Sequence, residues 1–178
     1  MSGWRPGDRK ADRESMLRVD QAGEYGATRI YAGQLAVLRS NSPEAKLISR
    51  MAAQEERHLK RFDTLIAERR VRPTALQPLW NVAGFALGAA TALMSEKAAL
   101  ACTDAVETEI DRHYGQQLDE LGDDDPELAA DIAEFRAEEL EHRDTARAAG
   151  AAEAVGYPVL TAAIRAGCRM AIELSKRI

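Results

Sequence analysis

The sequence predicts an all-α protein: a four-helix bundle carrying two additional helices, one apolar and one amphipathic. Three observations support this. Apolar residues recur at helical spacing nearly throughout, with no convincing alternation of strand type. Hydrophobic residues make up 46% of the 178 and charged residues 30%, yet aromatics only 5%. Ala, Leu, Glu and Arg dominate, which favours helix over sheet and argues against disorder. Finally, clusters of Gly, Pro, Ser, Asn and Asp punctuate the chain into long segments.

The start, residues 1–14, is polar and mixed in charge, and reads as an extension. It lacks the apolar core of a secretory signal, and its acidic residues argue against a transit peptide. Residues 15–178 read as a single domain, since the chain is too short for two of ordinary size. A first helix is expected from about Asp12 to Arg39, stopped by Ser40-Asn41-Ser42-Pro43. A second begins there, with Ser42 as N-cap and Pro43 at its first position, and runs to about Arg70. Pro73 and Pro78 bracket a linker, followed by an apolar stretch from Leu79 to Met94 that is rich in small residues. A third long helix spans about Ser95 to Leu121 and ends at Gly122-Asp123-Asp124-Asp125-Pro126. A fourth runs to about Ala149. After Gly156 and Pro158, an amphipathic helix (residues 157–178) closes the chain. Two hairpins with one long connection between them fit a bundle of the ferritin-like kind.

Position on the helix faces points to chemistry. The core-facing seam of the first helix reads Leu17, Gln21, Glu24, Thr28, Tyr31, Leu35, Leu38. The second reads Ile48, Met51, Glu55, His58, Phe62, Leu65; the third Leu100, Glu107, Ile110, Tyr114, Leu118, Leu121. The fourth reads Leu128, Ile132, Phe135, Glu139, His142, Ala146. Each helix thus aims one carboxylate at the core, and two add a histidine one turn on. Glu56, Glu109, Glu138 and Glu141 fall off the seams and read as solvated faces.

Four buried carboxylates facing one another cannot all stay ionised without cations. Two divalent metals remove the conflict, and Glu-x-x-His places both donors on one helical face. A bundle offering one Glu from each of two helices and Glu-x-x-His from each of the others is the known pattern for a di-metal carboxylate site. The spacing repeats: Glu24 to Glu55 is 31 residues and Glu107 to Glu139 is 32, as in a duplicated hairpin. With no thiolate in the set, iron or manganese is favoured over zinc. Glu55 and Glu139 are expected to bridge two iron ions, with Glu24 and Glu107 terminal and one histidine on each ion. Such a centre fits an oxygenase, a ferroxidase or a peroxidase equally well.

The net charge of −5 argues against a general nucleic-acid partner. Cys102 and Cys168 fit no zinc or redox spacing and suggest a reducing compartment.

The run from Arg18 through Asp20, Gln21, Gly23, Glu24, Tyr25, Gly26, Thr28 and Tyr31 to Gln34 resembles the opening motif of the demethoxyubiquinone hydroxylases, the Coq7 family. Ala101 to Glu107, Glu138 to Asp144 and Ala166 to Ile172 are similar to further motifs of that family, and all six of its ligand positions are filled. The resemblance implies hydroxylation of a polyprenyl benzoquinone with O2 and two electrons, NADH serving as donor. No Gly-x-Gly-x-x-Gly fingerprint is present for a conventional dinucleotide site. It also implies an electron- or proton-transfer role for His113 and Tyr114. On position alone, Tyr114 is a core residue and His113 a surface one. Tyr25 and Tyr31 read as packing residues.

The 16 residues from Leu79 to Met94 would make a helix of about 24 Å, short of the roughly 20 residues that span a bilayer. That helix, with Trp80 near the headgroups, and the final helix, with Arg165, Arg169, Lys176 and Arg177, suit either core packing or an anionic membrane surface. A greasy substrate favours a peripheral membrane protein, on the cytoplasmic face of a bacterial cell membrane or the matrix side of the mitochondrial inner membrane. Homo-oligomer and quinone-biosynthesis complex both stay open. Competing readings are a ferritin-like ferroxidase or iron-storage protein, a tRNA-modifying di-iron hydroxylase, and a membrane scaffold with a structural metal.

Overall fold

The structure is a computed structural model that describes residues 11–178. These form α1 (Arg13–Val37), α2 (Pro43–Glu68), α3 (Gln77–Met94), α4 (Glu96–Leu121), α5 (Pro126–Ala148) and α6 (Tyr157–Ser175), and no strand occurs among them. A short 3-10 turn at Ala151–Glu153, not foreseen from the sequence, precedes α6. The described helix α1 begins inside the expected polar extension, because Asp12 caps it; residues 1–10 of that extension lie outside the described residues.

The four bundle helices start on side-chain caps that satisfy otherwise unpaired N–H groups. Asp12 accepts from Ser15 N at 3.1 Å, Ser42 from Ala45 N at 3.1 Å, Ser95 from Ala98 N at 3.0 Å and Asp125 from Leu128 N at 3.2 Å. Helices α3 and α6 have no such cap and depend on packing instead.

Helices α1 and α2 form one hairpin and α4 and α5 the other, with α3 laid along α1 and α6 along α4. Between α2 and α5 run long ion pairs: Arg57 to Glu134 and Glu138, Arg61 to Glu127 and Asp131, and Arg69 to Asp125. The contact of α1 with α3 is backbone on backbone. A Cβ at Gly88 would stand 1.9 Å from the Ile30 carbonyl oxygen, and one at Gly33 would stand 2.1 Å from that of Phe85. Only glycine fits either place.

The apolar interior is split. One cluster gathers Leu38, Ile48, Met51, Leu100 and Ala146. Another holds Leu17, Phe62, Leu65, Leu121, Leu128 and Phe135. Between these clusters lies a polar layer at mid-bundle. A third, lateral cluster (Ile30, Cys102, Ala105, Val106, Ile164, with Leu87 and Cys168) joins α1 and α4 to the outer helices. Both cysteines are free thiols, pushed up to about 12 by burial.

Candidate metal centre

The polar layer contains the six seam residues. Glu24 comes from α1, Glu55 and His58 from α2, Glu107 from α4, and Glu139 and His142 from α5; all are buried. They form two overlapping groups. In one, Glu24, Glu55, His58 and Glu139 bring donor atoms within 4.8 Å of one another; in the other, Glu55, Glu107, Glu139 and His142 do so. Glu55 and Glu139 belong to both.

The donors converge rather than pair. His58 Nδ1 lies 3.0 Å from Glu139 Oε1 and 3.5 Å from Glu24 Oε2, and His142 Nδ1 lies 3.2 Å from Glu55 Oε1. Buried atoms without a hydrogen-bond partner include Glu24 Oε2, both Glu55 oxygens, His58 Nδ1, Glu107 Oε2 and Glu139 Oε1. Buried polar atoms are normally satisfied, so a knot of orphans at one point calls for a ligand. Oxygen-rich donors with two imidazoles fit a pair of divalent transition-metal ions.

Electrostatics point the same way. Burial pushes the Glu55 carboxyl well above its ordinary range, and the charges of Glu139, Glu24 and Glu107 push it further. Burial, then Glu139, does the same to Glu107, and burial raises Glu139. His58 is pulled down by burial, but the adjoining Glu139 and Glu24 carboxylates outweigh that and carry it up to about 10. Burial lowers His142. Without cations, this layer can exist only by holding protons.

The surrounding residues were less legible. Tyr31 is more than a packing residue: its hydroxyl donates to Glu107 Oε1 at 2.8 Å. Tyr114, buried, donates a short hydrogen bond to Glu24 Oε1. Each tyrosine stands seven residues beyond the glutamate of its own helix and serves that of the other. Glu138 is not a solvated residue, because its Oε2 lies 2.7 Å from His58 Nε2 and also accepts from Arg57. Gln54 Oε1, which the seam pattern passed over, lies 2.9 Å from His142 Nε2. Glu109 is likewise buried, receiving Arg165 and Arg169 at 2.7 Å each. Those two arginines therefore clamp α6 to α4 while remaining partly exposed. Glu56 and Glu141 are exposed as expected.

His113 is buried beside the layer, not on the surface. Its Nε2 lies 3.3 Å from Asp20 Oδ1 and 3.0 Å from Gln117 Nε2, and Gln117 also reaches Asp20 at 2.8 Å. It makes no hydrogen bond or ion pair with the six donors, whereas Tyr114 bonds to Glu24.

The family model described as "Ubiquinone biosynthesis protein COQ7" matches residues 11–175. A protein of Rhodospirillum rubrum named 3-demethoxyubiquinol 3-hydroxylase is 59% identical over 165 residues, covering 93% of this chain and 78% of the relative. The human mitochondrial protein named NADPH-dependent 3-demethoxyubiquinone 3-hydroxylase is 51% identical over 173 residues, 95% of this chain and 79% of its own. The mitochondrial 5-demethoxyubiquinone hydroxylase of Saccharomyces cerevisiae is 43% identical over 181 residues, 93% of this chain and 78% of its own. With a match of this extent, the chain belongs to the family of ubiquinone biosynthesis protein COQ7.

Proposed function

We propose that this protein hydroxylates the benzoquinone ring of a demethoxyubiquinone precursor, at a di-iron centre held by Glu24, Glu55, His58, Glu107, Glu139 and His142. The observation that supports the centre best is the sharing of Glu55 and Glu139 between two four-donor groups. Two carboxylates common to two ion positions are what a bridged pair requires. The reaction class rests on the hydroxylases among the relatives.

Ring hydroxylation inserts one oxygen atom of O2 into a C–H bond and reduces the other to water, consuming two electrons and two protons. Two iron ions supply the activation of dioxygen that an aromatic or quinonoid carbon otherwise resists. The chain's own part is to hold them. Glu55 and Glu139, common to both donor groups, would be shared by the two ions, Glu24 and His58 completing one position and Glu107 and His142 the other, each histidine offering Nδ1. Tyr31 and Tyr114 fix one oxygen of each terminal carboxylate, leaving the other for the ion. The apolar clusters above and below exclude water from the layer.

The reductant is a reduced nicotinamide. The family resemblance implies NADH, while the human relative's name specifies NADPH. His113, held by Asp20 and Gln117 beside Tyr114, lines a cavity of about 220 Å³ between α4 and α6. That position suits proton or electron transfer toward Glu24.

The polyprenyl substrate reaches the protein from a membrane. No described helix is long and apolar enough to cross one. Outward-facing Leu79, Val82, Leu93 and Met94 on α3, with Val159 and Met170 on α6, support docking on the bilayer surface. Trp80 Nε1 donates to Ser175 Oγ at 3.0 Å and ties the two helices at one end.

Quinone mass spectrometry of cells lacking this protein tests the assignment. Accumulation of the demethoxy precursor is expected; an unchanged quinone profile would overturn it.

A further inference from the structure

The two halves of the centre correspond closely but carry different partners on the outer nitrogens of their histidines. Tyr31 serves Glu107 as Tyr114 serves Glu24, and Glu55 and Glu139 are shared. Gln54 stands immediately before Glu55, as Glu138 stands immediately before Glu139. Each reaches across the bundle to the other half's histidine: Glu138 to His58 Nε2 at 2.7 Å, and Gln54 to His142 Nε2 at 2.9 Å. One imidazole is therefore backed by a carboxylate and the other by a neutral amide.

That difference acts through the ring. A carboxylate accepting from Nε2 fixes the tautomer with Nδ1 unprotonated and raises its donor strength toward a cation; an amide oxygen fixes the same tautomer with less polarisation. Arg57 also pairs with Glu138, but its side chain is 50% exposed, so water screens its charge. The His58 ring is further held in plane by Phe135, stacked at 4.1 Å.

We propose that Glu138 makes the two ion positions unequal, so that the position at His58 holds a divalent ion more tightly than the position at His142. Glu138 is thus a positioning residue acting through His58. The inference rests on the metal-centre reading above.

Cobalt(II) titration of the metal-free protein, followed by absorption, tests it on single-ion variants. His142→Ala, which keeps the His58 position, should bind cobalt about 10–100-fold more tightly than His58→Ala, the range typical of outer-shell partners. Adding Glu138→Gln to His142→Ala should erase the advantage, and adding Gln54→Glu to His58→Ala should restore it. Equal affinities, or tighter binding by His58→Ala, would overturn the proposal. A second measurement leaves every ligand in place. In the intact protein with one equivalent of cobalt, paramagnetically shifted imidazole signals should come first from His58. The charge-conserving exchange Gln54→Glu with Glu138→Gln should reverse that order. Simultaneous appearance, or no reversal, would sink the inequality alone. No cobalt binding by the intact protein would sink the metal centre with it.

Discussion

The Tyr31 hydroxyl of α1 donates to Glu107 of α4 at 2.8 Å, and the Tyr114 hydroxyl of α4 answers with a bond to Glu24 of α1. The exchange couples the hairpins through the polar layer itself. Tyr31→Phe leaves a buried carboxylate oxygen without its donor, at a cost of about 1–3 kcal/mol. Chemical denaturation should show that loss, and Tyr114→Phe should show a similar one. If Tyr114 only relayed electrons, Tyr114→Phe would lose turnover while keeping full stability and iron content.

Protonation makes a second prediction. The His58 pKa is raised from its ordinary value of 6.5 to about 10, so its contribution to stability is full below 6.5 and disappears as pH rises through 10. The raised carboxyls of Glu55 and Glu107 act in the same direction, because the folded state binds protons that the unfolded chain has released. The metal-free protein should therefore lose stability as pH rises from 6.5 to 10, whereas the metal-loaded protein, its protons replaced by cations, should follow a flatter curve. Thermal melts of both forms across that range check this, and parallel curves would count against cations at the layer.

Burial pushes the Asp125 carboxyl up, but Arg69 and the Leu128 N–H outweigh it and hold it below the usual range. A depressed carboxylate stabilises the fold above its unfolded value, near 4, and loses that contribution as pH falls through the folded value. Asp125→Ala removes the N-cap of α5 and should cost about 0.5–2 kcal/mol at neutral pH. The gap from wild type should close in acid.

Backbone contact between α1 and α3 gives a sharper contrast. Gly88→Ala must push the helices apart, since its Cβ would meet the Ile30 carbonyl. Overpacking of that kind costs about 1–3 kcal/mol or more. Gly23, on the open face of α1 with nothing near, should gain about 0.5–1 kcal/mol from the same substitution. Equal melting shifts for the two would refute the packing described.

Much of this architecture is legible in the sequence. Every seam residue assigned to α2 and α5 is buried, because those helices bury one face each and a single stripe describes them. Helices α1 and α4 bury more than their stripe. Val19, Ala27 and Ile30 are buried as well, Ile30 against Gly88 of α3, and every residue of the run Ala98 to Glu107 is buried. No one-face pattern reveals a second covering helix. Gln54 and Glu138 were missed for a related reason. Each lies one position off its seam, and its partner histidine belongs to the opposite hairpin.

Exposed Val82 and Val159, one on each outer helix, provide a test of the proposed membrane docking. Val82→Glu and Val159→Glu should weaken flotation with anionic liposomes while leaving circular dichroism unchanged. Undiminished flotation of the double variant would assign both helices to packing alone.

The central claim is tested most directly by isotope. Purified protein loaded with iron(II) is given reduced nicotinamide, a demethoxyubiquinone and labelled dioxygen, alongside the Glu139→Ala variant. One labelled oxygen atom should enter each ring, and the variant should neither hold iron nor form product. Unlabelled product, its new oxygen drawn from water, or product formed by the iron-free variant, would contradict the account.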